Sequence, residues 1–268
     1  MSVANQDIRN QIFAGLADRQ FTARLTVSAG GVLAGVVAAE EQAQAVGLQL
    51  QWACPEGSLL APGATVATIS GPARAIAMGE ERLPGCLGKA SGIATAARRA
   101  VDLAAGRIRV VSGAWKKTPP ELKPLVRDAV RVGGMPSRII DEPFIYLDKN
   151  YVRMLGGIAA ALAAVEALPA VKVIQVRGEE AEVVQETLWA CRGGAGVVMT
   201  DTGNRFDAVE ALAAAADYPR VRIAFAGGVH LEEIPSLADL GIQILDIGMA
   251  IVDAPLLDMK LDVVDVRG

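Results

Sequence analysis

Two adjacent lysines are the first residues whose pattern suggests chemistry. Lys116 and Lys117 stand side by side in the segment AWKKTPPELK, which follows an apolar run. Like charges placed together are unfavourable unless an anion neutralises them, so the pair favours recognition of a phosphate or a carboxylate. From this segment alone, a solvated surface loop explains the pair about as well.

Further candidate residues follow other apolar runs. Asp201 comes directly after AGVVMT, where an acid commonly binds a metal ion or a sugar hydroxyl, and the alternative is a cap on the next helix. Gly227 and Gly228 precede a predicted helix whose N-terminus could hold a phosphate, although simple turn glycines look the same. His230, the single histidine of the chain, is expected to be a capping or surface residue and not a general base.

Strands and helices in alternation must position these residues. From Arg107 onward, short apolar runs alternate with predicted helices around 121–132, 157–168, 180–191, 206–216 and 232–240, a pattern typical of parallel β/α units. The apolar runs are RIRVVSG, PFIYL, VKVIQV, AGVVMTD, VRIAFAGG and IQILDIG. No glycine-rich dinucleotide fingerprint opens the series, which favours a closed or nearly closed barrel over an open sheet. The candidate residues then share the carboxyl end of the barrel.

The first hundred residues follow a mixed α and β pattern. Short β-branched runs with glycine-rich turns over residues 23–80 predict a small sheet. A helix is predicted at 38–45, and one or two long helices at 77–105, interrupted near Pro84.

Composition narrows the class of protein. The chain has 268 residues, of which 52% are hydrophobic and 21% charged, as in compact globular proteins of one or two domains. A net charge of -4 gives no reason to expect binding to nucleic acid or to an anionic membrane. The three cysteines are far apart and no histidine lies at ligand spacing, so neither a disulfide framework nor a zinc site is expected. With no signal-like start and no membrane-spanning run, the sequence predicts a cytoplasmic protein.

Longer segments resemble one known family, the quinolinate phosphoribosyltransferases. EERLPGCLGKASGIAT resembles a family helix with Glu-Arg and Ser-Gly-Ile-Ala-Thr, and KKTPP resembles Arg-Lys-Thr-x-Pro. VGGMPSR resembles a turn ending in His-Arg, and AFAGGV with DIGMA resembles the phosphate-binding end of the barrel. The likeness covers nearly the whole chain. It implies an α/β fold with an N-terminal α/β sandwich domain, residues 1–105 with the tail 255–268 packed on it, and an incomplete parallel α/β barrel, residues 106–254.

The resemblance also implies an activity. Such enzymes move phosphoribosyl from phosphoribosyl pyrophosphate to the nitrogen of quinolinate and release carbon dioxide, in NAD biosynthesis. Mg²⁺ accompanies the pyrophosphate, and no tightly bound organic cofactor is expected. The family works as a homodimer or larger homo-oligomer in which the neighbour contributes an arginine, matched here by Arg82. The alternatives are a paralogue that uses another small acceptor and an anion-binding module without turnover.

Site residues follow from the same resemblance. Positions that bind the substrate, besides Arg82, are Lys116, Thr118, Ser137 and Arg138. Catalytic positions are Lys117, Lys149, Gln175 and Asp201, the last of which also approaches the metal. Positions that bind the 5′-phosphate are Gly227, Gly228 and Gly248.

Departures from the family pattern concern the same site. Ser137 stands where the family has histidine, Gln175 where it has glutamate, and a C-terminal histidine is replaced near Val252. The segment from Asp148 through Lys149 to Tyr151 replaces Lys-Asp-Asn-His. A lysine displaced by one residue on a strand would face away from the site unless the strand had a bulge or the alignment slipped by one residue. We expect turnover of quinolinate to be slow or absent relative to a family member that has the full set of residues, because an amide cannot act as a carboxylate and a serine supplies no cationic donor.

Overall fold

The computed structural model describes residues 7–267, which fall into two compact units. The first, here called the antiparallel unit, contains residues up to 96, residues 120–133 and residues from 254 onward. The second, the barrel unit, contains residues 97–119 and 134–253. A curled parallel sheet in one and a separate antiparallel sheet in the other confirm the predicted α/β class.

The elements up to residue 104 follow one another in this order: α1 (Arg9–Ile12), a 3-10 helix (Ala14–Leu16), β1 (Gln20–Val27), β2 (Gly31–Val32), α2 (Val36–Val46), β3 (Gln49–Trp52), β4 (Leu59–Leu60), β5 (Thr65–Pro72) and α3 (Ala73–Ala104). The later elements are β6 (Arg109–Val111), 3-10 helices (Ala114–Lys117 and Pro120–Leu122), α4 (Lys123–Val132), β7 (Phe144–Leu147), α5 (Lys149–Leu155), α6 (Ile158–Ala164), β8 (Val171–Val176), α7 (Val183–Arg192), β9 (Val197–Asp201), α8 (Arg205–Ala214), β10 (Arg222–Ala226), a 3-10 helix (Leu231–Glu233), α9 (Ile234–Asp239), β11 (Ile244–Asp246), α10 (Met249–Val252) and β12 (Met259–Arg267).

The antiparallel unit is built on a four-stranded sheet in the order β12-β1-β5-β3. Alternation along β1 buries Ala23, Leu25 and Val27, as expected for a strand with one face on a core. The predicted interruption of the long helix near Pro84 is wrong, because α3 runs without a break for 32 residues. Fully buried Leu83 and Leu87 flank the proline at helical spacing, and their packing outweighs the hydrogen bond that proline removes.

The barrel unit contains all six predicted strands in one parallel sheet, in the order β6-β11-β10-β9-β8-β7. Because β6 and β7 are its two edges, the sheet forms an incomplete barrel. Alternate residues such as Val173 and Met199 pack in the barrel interior, and Ile174 and Val198 pack against the outer helices. Period-two alternation therefore decides which side chains reach the mouth of the barrel.

None of the helices within residues 7–267 combines the length and the apolar composition needed to cross a membrane.

Candidate active site

The mouth of the barrel carries two acidic residues in one row. Asp201 at the end of β9 pairs in register with Ala226 on β10, which pairs with Asp246 on β11. Two strand spacings put these aspartates about 10 Å apart on the same interior face. Ala226 is small, so the space between the two carboxylates is not filled by a bulky side chain. Each aspartate lies in a different cluster of polar residues.

The first cluster, called the Asp201 cluster, consists of Lys149, Gln175, Arg177 and Asp201. The side chain of Gln175 is 7% exposed and donates from Nε2 to Oδ2 of Asp201. Its Oε1 accepts the backbone N–H of Lys149 at 2.7 Å. Arg177 donates from Nη1 to the same Oδ2 at 2.9 Å and to the backbone carbonyl of Asp201. Gln175 therefore holds Asp201 in place, which a glutamate could do only by placing a second carboxylate against it.

Lys149 reaches this cluster from a helix and not from a strand. Strand β7 ends at Leu147, and Asp148 is the N-cap of α5, its carboxylate accepting N–H from Asn150 at 2.9 Å and Tyr151 at 3.2 Å. The expectation that strand alternation turns the Lys149 side chain away from the site is therefore wrong, because Lys149 lies on a helix and the two-face alternation applies to strands. The exposed Lys149 side chain lines a cavity of about 160 Å³ together with Gln175 and Arg177.

Glu186 fixes the loop that begins with Arg177. Its side chain is 1% exposed, and its carboxylate accepts four backbone N–H groups. The donors are Arg177 at 2.9 Å, Gly178 at 2.8 Å, Glu180 at 2.7 Å and Ala181 at 3.4 Å. A buried carboxylate is tolerated when it is hydrogen-bonded in this way, and it then orders the backbone around it. Glu186 thereby positions Arg177 beside Asp201.

The second cluster surrounds a cavity of about 240 Å³, called the Arg138 cavity. Three of the predicted substrate-binding residues, Lys116, Ser137 and Arg138, line it together. The remaining lining residues are Val111, Gly113, Trp115, Ile139, Phe144, Tyr146, Met199 and Asp246. Cations, aromatic rings and one acid therefore share a space large enough for a small planar anion.

Aromatic faces orient the two cations of this cavity. Lys116 Nζ lies 4.5 Å from the centre of the Tyr146 ring, and the Arg138 guanidinium lies 5.2 Å from the centre of the Phe144 ring. Such contacts stabilise a cation by about 0.5–1 kcal/mol. Arg138 also donates from Nη2 to the backbone carbonyl of Glu142 at 3.4 Å. The cavity therefore presents two oriented positive groups to a ligand.

Asp246 is the acid of the Arg138 cavity. The backbone N–H of Gly113 donates to its Oδ1 at 2.8 Å. Burial raises the pKa of the Asp246 carboxyl, the Gly113 hydrogen bond and the Lys116 charge lower it, and the net shift is upward. Burial likewise raises the pKa of Tyr146, whose hydroxyl donates to the sulfur of Met199 at 3.1 Å. Tyr146 is therefore neutral, and Asp246 keeps its proton to higher pH than an exposed aspartate.

Lys117 and Thr118 lie beside these clusters. Lys117 is exposed at the end of the 3-10 helix Ala114–Lys117, and Thr118 donates from Oγ1 to the carbonyl of Trp115 at 2.8 Å. Arg82 belongs to the antiparallel unit, where its Nη1 donates to Oε1 of Gln42 at 3.5 Å. Its predicted role in a partner's site stays a prediction.

The predicted phosphate-binding glycines have backbone conformations of two kinds. Gly227 has φ +108°, and a Cβ there would meet the backbone nitrogen of Gly203 at 2.4 Å, so only glycine fits. Gly228 has φ +79°, whereas Gly248, at the start of α10, has φ -89°. His230 is the N-cap of the following 3-10 helix, as expected, and its N–H donates to Glu233 at 2.9 Å. Binding of a phosphate at these glycines stays a prediction.

The donors at the mouth of the barrel bear on the predicted magnesium ion. Within the residues that the structure describes, no three His, Cys, Asp or Glu side chains are grouped to hold a metal. The Asp201 carboxylate already accepts hydrogen bonds from Gln175 and Arg177. Mg²⁺ is commonly held by one or two carboxylates with phosphate oxygens and waters, and the residues fit only that arrangement, with Asp201 as a single protein ligand.

Sequence reasoning did not assign roles to Tyr146, Arg177, Glu186 and Asp246. Asp246 follows the run IQIL as Asp201 follows AGVVMT, so the same rule of an acid after a buried strand applies to it. Tyr146 on β7 faces the barrel interior, as does Phe144 two residues earlier, because alternate residues of a strand share one face. The parts played by Arg177 and Glu186 depend on the fold of the loop between β8 and α7, which no local pattern reveals.

Two family models and several named relatives match this chain. The family model for the quinolinate phosphoribosyl transferase C-terminal domain matches residues 93–262, and that for the N-terminal domain matches residues 7–91. A human protein named nicotinate-nucleotide pyrophosphorylase (carboxylating) is 33% identical over 247 residues, 89% of this chain and 81% of that protein. A probable protein of the same name from Bacillus subtilis is 27% identical, over 97% of this chain and 89% of its own length.

Solved structures share the fold. The nicotinate-nucleotide pyrophosphorylase from Pyrococcus furiosus matches with a TM-score of 0.81 and 24% identity, covering 100% of this chain and 79% of that chain. The one from Ehrlichia chaffeensis matches with a TM-score of 0.83 and 17% identity, covering 98% of this chain and 94% of that chain.

Proposed function

The chain belongs to the quinolinate phosphoribosyltransferase family, and from this premise we propose that it moves phosphoribosyl from phosphoribosyl pyrophosphate to quinolinate or a related small carboxylated acceptor. With quinolinate the products are nicotinate mononucleotide, diphosphate and carbon dioxide, a step of NAD biosynthesis. The observation that carries the proposal is the Arg138 cavity, where two oriented cations and aromatic rings line about 240 Å³.

The acceptor binds in the Arg138 cavity. Arg138 offers a planar pair of donors to one carboxylate, and Lys116 offers a compact positive charge to carboxylate oxygens. Phe144 and Tyr146 provide apolar surface for a planar ring. Ser137 lines the same cavity and supplies a neutral hydroxyl to the acceptor.

The phosphoribosyl donor binds along the adjacent strand ends. Asp201, held by Gln175 and Arg177, accepts hydrogen bonds from ribose hydroxyls. Lys117, beside Lys116, neutralises the pyrophosphate, and exposed Lys149 of the Asp201 cluster offers a second positive charge. The 5′-phosphate takes the turn at Gly227 and Gly228 together with Gly248. A Cβ on Gly228 would meet nothing within 4 Å, so the space beside that glycine is open to an anion.

Transfer forms one bond and breaks another at the ribose anomeric carbon. The acceptor nitrogen supplies the electron pair of the new bond, and the bond to pyrophosphate breaks with its pair on the leaving oxygen. Lys117 stabilises the negative charge that develops there. Mg²⁺, when bound with pyrophosphate, supplies further neutralisation of that charge. Residues fixed before the substrate arrives, such as Arg177 and Asp201, need little reorganisation during transfer.

Assembly and location complete the proposal. We place the chain in the cytoplasm as a homodimer in which Arg82 of each protomer enters the partner's site. Sedimentation at micromolar concentration tests the assembly. A dimer is expected, and a monomer would contradict the shared site.

Product analysis tests the function. The full chain is incubated with phosphoribosyl pyrophosphate, MgCl₂ and quinolinate, and nicotinate mononucleotide and diphosphate are measured by chromatography. Both are expected in equal amounts. The matched control is Arg192→Ala, an exposed arginine on α7, which should keep wild-type activity. Absence of both products with quinolinate and with other pyridine carboxylates would contradict a transferase.

A further inference from the structure

Loss of carbon dioxide from the acceptor creates a need for a proton. When the ring carbon loses its carboxylate, the electron pair of the broken carbon–carbon bond stays on that carbon and must accept a proton. Ser137, which lines the Arg138 cavity, is a poor acid at neutral pH. A proton donor is needed within reach of the same cavity.

Most polar groups in the Arg138 cavity are unsuited to this step. Tyr146 donates its hydroxyl hydrogen to Met199, and burial raises its pKa, so it holds its proton too firmly. Arg138 does not lose a proton in proteins. Lys116 would have to give up the positive charge with which it binds a carboxylate. Ser137 is a neutral alcohol. Asp246 is the remaining titratable side chain among the described residues that line the cavity.

The geometry around Asp246 suits an acid. Gly113 anchors Oδ1 through its backbone N–H at 2.8 Å. A Cβ on Gly113 would lie 3.1 Å from Oδ2, so the missing side chain leaves space next to this second oxygen. The anchored carboxyl thus keeps one oxygen for a proton while the other is fixed by the backbone.

We propose that Asp246 is the general acid that protonates the acceptor carbon after carbon dioxide leaves. The O–H bond of the Asp246 carboxyl breaks, its electron pair stays on the carboxylate, and the proton forms a C–H bond with the pair left on the ring carbon. Solvent returns a proton to Asp246 before the next turnover. The assignment rests on the proposed function, since it needs an acceptor that loses a carboxylate.

Charges from several elements face Asp246 and set its protonation. Lys116 and Lys117 on the 3-10 helix after β6 favour the carboxylate, and Asp201 at the end of β9 disfavours it. Tyr146 on β7 stays neutral, and α10 offers no titratable side chain. Because burial outweighs the two lysines, the pKa of Asp246 is raised, and the rate of product formation is expected to fall as pH rises through that pKa.

The experiment compares wild type with Asp246→Asn and the exposed control Asp217→Asn. Asparagine keeps an acceptor for Gly113 but supplies no acidic proton. We expect kcat for nicotinate mononucleotide to fall about 100-fold or more, with the alkaline decline of the wild-type profile over roughly pH 5–9 abolished. KM for quinolinate should change little, because asparagine is neutral like the protonated carboxyl that it replaces. Asp217→Asn should match wild type.

Separate results overturn the two proposals. If wild type turns over and the kcat of Asp246→Asn lies within a factor of about two of the wild-type value, the role of Asp246 alone is overturned. The same follows if the variant keeps the pH profile of wild type. A wild-type kcat that is flat over roughly pH 5–9 would do the same without any variant. If wild type forms no diphosphate at all, the transferase activity itself is wrong, and the acid assignment falls with it.

Discussion

The Asp201 cluster and the Arg138 cavity lie at one end of the same sheet but are stabilised differently. In the Asp201 cluster the carboxylate is bound by Gln175 and Arg177, and the loop carrying Arg177 is fixed by Glu186. In the Arg138 cavity the cations lie against aromatic rings around an open space. The first is organised by the protein's own hydrogen bonds, and the second is completed by a ligand. Substitutions should therefore affect folding in the first and ligand affinity in the second.

The largest effect is expected from Arg138→Ala. Loss of a charge-assisted pair of hydrogen bonds to a carboxylate should lower kcat/KM for the acceptor about 100-fold or more, with unfolding free energy nearly unchanged. Steady-state kinetics and urea unfolding measure the two quantities. Arg138→Lys should recover only part of the loss, because lysine lacks the planar fork. If Arg138→Ala lost unfolding free energy together with its activity, the proposed distinction between the Asp201 cluster and the Arg138 cavity would be wrong.

Glu186→Gln, unlike Arg138→Ala, should act mainly by lowering the stability of the fold. The amide cannot accept four backbone N–H groups as well as a carboxylate does, so we expect a loss of about 2–3 kcal/mol in unfolding free energy. Urea unfolding measures it, with exposed Glu210→Gln on α8 as the control. Affinity for phosphoribosyl pyrophosphate should fall as Arg177 loses its position. Unchanged stability would show that Glu186 does not organise the loop.

Gln175→Glu tests the hydrogen bond to Asp201 directly. Two carboxylates in contact raise the pKa of the pair above the unfolded value, so the variant should lose about 1–2 kcal/mol at neutral pH. A group with a raised folded pKa contributes stability below its unfolded pKa and loses it as pH rises. The deficit should therefore shrink as pH falls toward about 4. Unfolding curves at several pH values measure this, and a deficit independent of pH would contradict it.

The smallest effect is expected from Tyr146→Phe. The variant loses the weak hydrogen bond to Met199 but keeps the ring beneath Lys116. The free energy of unfolding, and the free energy that corresponds to the acceptor KM, should therefore each change by less than about 1 kcal/mol. Tyr146→Leu, which removes the ring, should raise acceptor KM further. A larger effect of the phenylalanine variant would give the hydroxyl a role in the reaction.

Sequence reasoning identified the strands better than the contacts between their ends. Continuous apolar runs marked all six barrel strands, because parallel strands are buried on both faces. Only the family resemblance assigned Lys116 to one site with Ser137 and Arg138, because Lys116 lies on a different loop from that adjacent pair.

Two expectations failed where long-range packing decides the local structure. Pro84 does not interrupt α3, because buried residues on both sides hold the helix together. Lys149 belongs to a helix capped by Asp148, so strand alternation does not apply to it. Gln175 looks like a lost carboxylate in the sequence, whereas in the fold it donates a hydrogen bond to Asp201. Slow turnover of quinolinate stays a prediction.

The central claim, a transferase whose acceptor occupies the Arg138 cavity, is tested most directly by one comparison. Nicotinate mononucleotide formation from quinolinate and phosphoribosyl pyrophosphate is measured for wild type and for Arg138→Ala at several quinolinate concentrations. We predict product from wild type, and from the variant about 100-fold lower kcat/KM for quinolinate with unchanged affinity for phosphoribosyl pyrophosphate. Equal kcat/KM in both proteins, or no product from wild type with quinolinate and with other pyridine carboxylates, would contradict the claim.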